Sequence, residues 1–93
     1  MAAELLIDER HVLDAHTFVE IVVWRLARAA RGSRHSFKYR LALIVDEVCI
    51  LRYDNESGKG DHRHLRDEES PYRFVDTDTL LADFWRDVER LRS

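Results

Sequence analysis

Hydrophobic and polar positions alternate most regularly in the middle of the chain. There Phe37, Tyr39, Leu41, Leu43 and Val45 take turns with Ser36, Lys38, Arg40, Ala42 and Ile44. Side chains on a strand point alternately to opposite faces, so this period of two predicts a strand with one buried face and with Lys38 and Arg40 on the other. Upstream, residues 17–26 (TFVEIVVWRL) are dense in β-branched and aromatic residues, which pack well on a pleated sheet. Leu5, Leu6 and Ile7, followed by Val12 and Leu13, predict another strand ahead of them. After Asp46-Glu47 a fourth strand is predicted over residues 48–53. The two segments are close enough to pair as a hairpin, although Asp-Glu is not the favoured Asn-Gly turn.

Beyond residue 53 the pattern changes. Residues 54–71 are polar, contain Gly58 and Gly60, and read as one long functional loop. Residues 71–75 (PYRFV) suggest a short edge strand starting at Pro71, where proline is tolerated. Asp76 then suits a helix N-cap, with Asp78 complementing the dipole in the first turn. Leu80, Leu81, Phe84, Val88 and Leu91 share one helical face with Trp85 beside them, and Arg86, Arg90 and Arg92 come late in the helix. Asp83, Arg86, Asp87 and Arg90 read as a solvated face with i,i+3 pairing. The expectation is one α+β domain over residues 1–93. It has a four-stranded antiparallel sheet over about 4–55 (five-stranded with the edge strand), a loop over 54–71, and a helix over about 77–92 packed on one face.

Composition narrows the setting. A chain of 93 residues has room for one domain, and its 45% hydrophobic share excludes disorder. No apolar run approaches the roughly 20 residues of a membrane span, and no secretory leader pattern opens the sequence. The single Cys49 cannot form an internal disulfide and, in its apolar stretch, reads as a small buried hydrophobe. Together these features point to the reducing cytoplasm.

The net charge of −3 conceals an asymmetry. Between Ile21 and Val45 there is no acid, while Arg25, Arg28, Arg31, Arg34, Lys38 and Arg40 are all basic. A basic segment on an acidic protein suggests a local anionic partner. Arginine supplies most of the positive charge and suits bidentate phosphate or carboxylate binding. Equally, the segment reads as a solvated strand face that answers acids elsewhere in the chain. Arg34, His35, Lys38, Arg40 and Tyr53 are the candidate nucleic-acid contacts. Trp24 and Trp85 each sit on an apolar-patterned face and read as core.

Titratable residues concentrate over residues 53–64 (YDNESGKGDHRH). Glycines flanking Lys59 allow close backbone approach, but the segment lacks the upstream glycine and the Ser/Thr of a phosphate-binding Walker loop, which argues against nucleotide hydrolysis. If the stretch is extended, His62 and His64 share a face, about 6.6 Å apart along the strand. Two imidazoles so placed suit the general base and general acid of RNA cleavage. Lys59 and Arg63 would stabilise charge on the phosphorane, with Asp61 completing the set. No cofactor is needed on this reading. Metal binding by His62, His64, Asp61 and Asp54 is the alternative, and ordinary surface residues with Asp61 capping a turn the plainest one.

The residues now described carry a resemblance. GSRH-x-FKYRL over 32–41, YDNE-x-GKGDHRH over 53–64, PYRF over 71–74 and LLADF over 80–84 resemble the TumE-like toxin family of bacterial type II toxin–antitoxin systems. The likeness runs in order from about Gly32 onward, and the first 30 residues are similar only in strand pattern. It implies a small toxin that arrests growth when unneutralised. It also implies a cognate antitoxin as partner, typically one with a helix-turn-helix domain. RNA is the target suggested by the loop and the basic segment, a second copy of the chain is a further candidate partner, and no membrane partner is expected.

Overall fold

A computed structural model describes residues 3–29, 35–56 and 59–92. Six strands follow one another: β1 (Glu4–Asp14), β2 (Thr17–Arg25), β3 (Phe37–Val45), β4 (Val48–Glu56), β5 (Gly60–Leu65) and β6 (Glu68–Pro71). One helix, α1 (Thr77–Arg92), follows them. The strands form a single sheet whose spatial order is the chain order, and each pairs antiparallel with the next. The α+β class and the closing helix agree with the sequence reading; the strand number does not.

The core lies between one face of the sheet and α1. Val19, Ile21 and Val23 of β2, Tyr39, Leu41 and Leu43 of β3, and Leu51 and Tyr53 of β4 all meet Leu80, Phe84 and Val88. Burying each such side chain contributes roughly 1.5–3 kcal/mol. The helix starts where the sequence predicts, because the Thr79 backbone N–H donates to Asp76 Oδ1 at 2.7 Å. This hydrogen bond holds the Asp76 carboxyl below its usual range. At the β3–β4 turn, Asp46 (φ 50°) and Glu47 (φ 68°) are both left-handed. That is the geometry a two-residue hairpin with right-handed strand twist demands, here without glycine. No helix among the described residues is long and apolar enough to cross a membrane.

Four expectations need correction. Most of the described residues within 54–71 belong to the end of β4, to β5 and to β6 rather than to a loop, so the sheet has six strands and runs on to Pro71; Gly58 lies outside the described residues. Pro71 closes β6 instead of opening a strand, and residues 72–76 lead irregularly into the helix. Cys49 is exposed, because β4 carries an irregularity opposite Leu43 and Ile44 and turns its first residues outward. Asp87 is buried, only 8% exposed, at the seam between helix and sheet.

Candidate functional site

The register assigns each candidate residue that lies in a strand to a face. Across β3, β4 and β5, Arg40 pairs with Asp54 and Asp54 with His62, while Ala42 pairs with Arg52 and Arg52 with His64. Partners across a ladder share a face. Lys38, Arg40, Arg52, Asp54, His62 and His64 therefore stand together on the face that α1 leaves open. Tyr53 pairs with Arg63 and Asn55 with Asp61, and these four point toward the helix. Strict alternation thus divides the 53–64 segment: His62 and His64 meet, whereas Asp61 and Arg63 lie on the far side of the sheet from them.

On the helix-covered side the polar groups are tied into the fold. Tyr39 Oη donates to Asp61 Oδ2 at 2.6 Å, and His35 Nε2 contacts the same oxygen at 2.8 Å. His35 Nδ1 accepts the Phe37 backbone N–H at 3.1 Å, so the proton sits on Nε2 and points at Asp61. The imidazole stacks on Phe74 with ring centroids 3.9 Å apart. Nearby, Asp87 Oδ2 accepts from Tyr53 Oη at 2.5 Å and from Arg63 Nε at 2.8 Å. Burial alone would raise the Asp87 carboxyl, but these two donors outweigh it and hold the group below its ordinary range. Burial and the hydrogen bond to Asp87 push the Tyr53 phenol up to about 12. Burial, then the bond to Asp61, likewise raises Tyr39.

Tyr53 is 3% exposed and has no ring face for a nucleobase. His35 is equally remote from the open face, so neither residue joins Lys38 and Arg40. Arg34 lies outside the described residues.

Asn55 has a third role. Its Oδ1 accepts the Tyr39 N–H at 2.9 Å and its Nδ2 donates to the Phe37 carbonyl at 2.6 Å. The side chain stands in for a strand backbone where the β3–β4 ladder stops at Arg40 and Asp54. Lys38 Nζ donates to the Asn55 carbonyl at 3.3 Å. Where the two strands part, the open face holds a cleft of about 460 Å³ whose walls include Trp24, Lys38, Arg40, Arg52 and Asp54.

The two histidine rings on this face have centroids 6.4 Å apart. His62 Nδ1 lies 3.1 Å from the Gly60 carbonyl. A carbonyl only accepts, so Nδ1 carries a proton, and in the neutral ring the lone pair is on Nε2. His62 Nε2 is 3.8 Å from Glu69 Oε2, and His64 Nε2 is 3.4 Å from that oxygen and 3.8 Å from Asp54 Oδ1. Lys59 borders a second depression with His62, Glu69, Ser70 and Pro71. Because Asp61 is across the sheet, the metal set of His62, His64, Asp61 and Asp54 is not assembled. No cluster of three or more His, Cys, Asp or Glu among the described residues is arranged to hold a metal ion.

The basic segment is partly answered from within the chain. Arg25 lies 2.5 Å from Glu4 and Arg40 3.4 Å from Glu20. Sequence reasoning missed Arg52, Glu69 and the open-face position of Trp24. Register would have found the first and third, since Arg52 is two residues before Asp54 and Trp24 alternates with the buried Val23.

A half-covered meander sheet, closed by one helix and carrying a cluster of basic residues and histidines on its free side, is the class the fold and site define. The chain belongs to the TumE toxin family, whose model, described as Toxin TumE, matches residues 2–92. No curated protein and no solved structure matches it. Of the motif residues that carry the earlier resemblance, Tyr53, Asn55, Asp61 and Arg63 hold the fold, while Asp54, His62 and His64 face outward.

Proposed function

We propose that this toxin arrests growth by cutting RNA on the open sheet face, with His62 as general base and His64 as general acid. The observation that carries the reading is the pair of imidazoles side by side, 6.4 Å between ring centroids, on a face that also bears Lys38, Arg40 and Arg52. His62 Nε2 takes the proton of the ribose 2′-hydroxyl, and the 2′-oxygen attacks phosphorus. The P–O5′ bond breaks, the leaving oxygen takes a proton from His64, and a 2′,3′-cyclic phosphate results. Lys59 and Arg52 stabilise the negative charge that builds on the phosphorane oxygens; Arg52 takes the part the sequence assigned to Arg63. Lys38 and Arg40 bind flanking phosphates, so affinity falls with salt.

The cognate partner is an antitoxin, here proposed to be of the helix-turn-helix type. Co-expression with such a neighbouring reading frame restores growth and co-purifies both chains; chains that neither associate nor restore growth remove this part of the proposal.

The test of the chemistry is purified protein on end-labelled RNA with and without EDTA. Cutting persists under chelation and leaves cyclic-phosphate ends. His62→Ala and His64→Ala each lose about 10²–10⁴-fold while melting like the parent. A His62→Ala/His64→Ala protein that folds and still arrests growth overturns the assignment. Binding without cutting is the second reading, and what favours it is that cross-strand His–Glu pairs are also ordinary content of a solvated sheet face.

A further inference from the structure

The cleft beside the histidines contains Trp24 and Asp54, which the cleavage reading does not use. At about 460 Å³ it falls within the roughly 300–1,000 Å³ of small-molecule sites. Trp24 forms part of its wall on the open face, paired across the ladder with Lys38. An indole beside Lys38, Arg40 and Arg52 is a stacking surface for a nucleobase. Asp54, in the adjacent wall, carries two carboxylate oxygens. Arg52 Nε lies 3.0 Å from Asp54 Oδ2, yet it is buried without a hydrogen-bond partner, because the approach is misaligned. A buried donor left unmatched is costly, and a ligand that draws Arg52 and Asp54 into alignment recovers that loss.

We propose that this cleft is a guanine-selecting subsite for single-stranded RNA, an inference that rests on the open face being the RNA surface. Guanine presents two adjacent donors, N1–H and N2–H, on its pairing edge, and a carboxylate accepts both at once. Its other edge presents O6 and N7, which match an arginine fork. Adenine lacks the paired donors, and uracil offers a single N–H. Cytosine offers its amino group alone to the carboxylate. Asp54 therefore reads the pairing edge of the base while Trp24 stacks it.

Location supports the same assignment. Asp54 pairs directly with His62, and strands are about 4.8 Å apart, so a base held by Asp54 lies on the same face as the histidine pair, one strand away from it. Selection and cutting then fall within one short stretch of the bound strand.

The experiment measures binding on the His62→Ala/His64→Ala protein, which cannot turn over. Fluorescein-labelled heptamers of uridine carrying one central guanosine, adenosine or cytidine are titrated by anisotropy, with the all-uridine heptamer as reference. The guanosine heptamer binds about 10-fold or more tighter than the others. Adding Trp24→Ala weakens it about 5- to 150-fold, whereas Trp24→Phe retains most of the affinity. Adding Asp54→Asn removes the preference for guanosine. Equal affinity for all four heptamers, or a Trp24→Ala protein that binds as before, overturns the subsite.

Mapping the cuts made by the parent on a long RNA separates the two claims. Cleavage without preference for guanosine removes the subsite and leaves the nuclease reading standing. Selective binding by a parent that never cuts removes the nuclease reading and leaves the subsite.

Discussion

Each side of the sheet carries histidine next to carboxylate, yet the two arrangements have opposite characters. On the covered side His35 is held at both ring nitrogens, by Asp61 and by the Phe37 backbone, and is stacked on Phe74. Its side chain is 15% exposed. On the open side His62 and His64 face Glu69 and Asp54 at 3.4–3.8 Å, outside ordinary hydrogen-bond length, beside a cleft. The same residue types thus give a fastening in one setting and loosely partnered imidazoles in the other. What decides is whether the nitrogen lone pair and proton are already committed and whether a substrate can reach them.

That contrast can be broken from the covered side first. Phe84→Ala removes the largest fully buried side chain and costs roughly 3–5 kcal/mol, most of the stability of a small domain. Chemical denaturation reads the loss; a midpoint near the parent's would show that the helix does not hold the sheet. Next is Asp87→Asn, which leaves Arg63 facing a neutral amide and costs about 2–3 kcal/mol near neutral pH.

The pH dependence of that difference sharpens the point. The Asp87 carboxyl titrates lower in the folded chain than its ordinary 3.8. Its stabilisation is therefore complete above about pH 4 and is lost as the pH falls through the folded value. The gap in melting temperature between parent and Asp87→Asn narrows below about pH 4. A gap that stays constant down to pH 2 would contradict the role given to this carboxylate.

Alkali tests the same seam from the other end. Tyr53 titrates at about 12, and Tyr39 and Tyr72 are also raised, each by burial first and then by a carboxylate partner. A group whose folded value lies above the unfolded one, about 10 for tyrosine, stabilises fully below the unfolded value. That contribution disappears as the pH rises toward the folded value. Tyrosinate absorbance should lag behind that of free tyrosine and rise together with unfolding above pH 10. Three phenols titrating freely near 10 in a folded chain would show that the covered face is wet.

The smallest effect belongs to neither face. Glu47→Gly relieves a left-handed non-glycine residue and should raise stability by roughly 0.5–1 kcal/mol, read as a higher melting temperature. An unchanged or lower value would mean that the turn is not strained.

The apolar framework was legible in the sequence, because β2, β3 and the helix each bury a hydrophobic face that sets the period. β5 and β6 were not, since GDHRHL and EESP carry almost no hydrophobic alternation. Two of the three inward positions of β5 are Asp61 and Arg63, which satisfy themselves on His35, Tyr39 and Asp87, and only Leu65 packs on hydrocarbon. Polar partners replaced the apolar signal. Asp87 escaped for a related reason: it lies seven residues after Leu80 and three after Phe84, on the buried stripe, but its charge suggested solvent. The pairing of His62 with His64 was readable from alternation, and that rule, carried one residue further, would also have separated them from Asp61 and Arg63.

The strictly sequential strand order has a consequence for synthesis on the ribosome. Each hairpin has both partners as soon as its second strand emerges, and hairpins close in about 1–10 μs. Translation proceeds at about 5–20 residues per second, so the 16 residues of α1 take on the order of a second to follow. During that interval Val19, Ile21, Leu41 and Leu51 have no helix to cover them. The nascent sheet is exposed to chaperones and to neighbouring chains on the side that later becomes its core. The side bearing His62 and His64, by contrast, is the one the helix never covers.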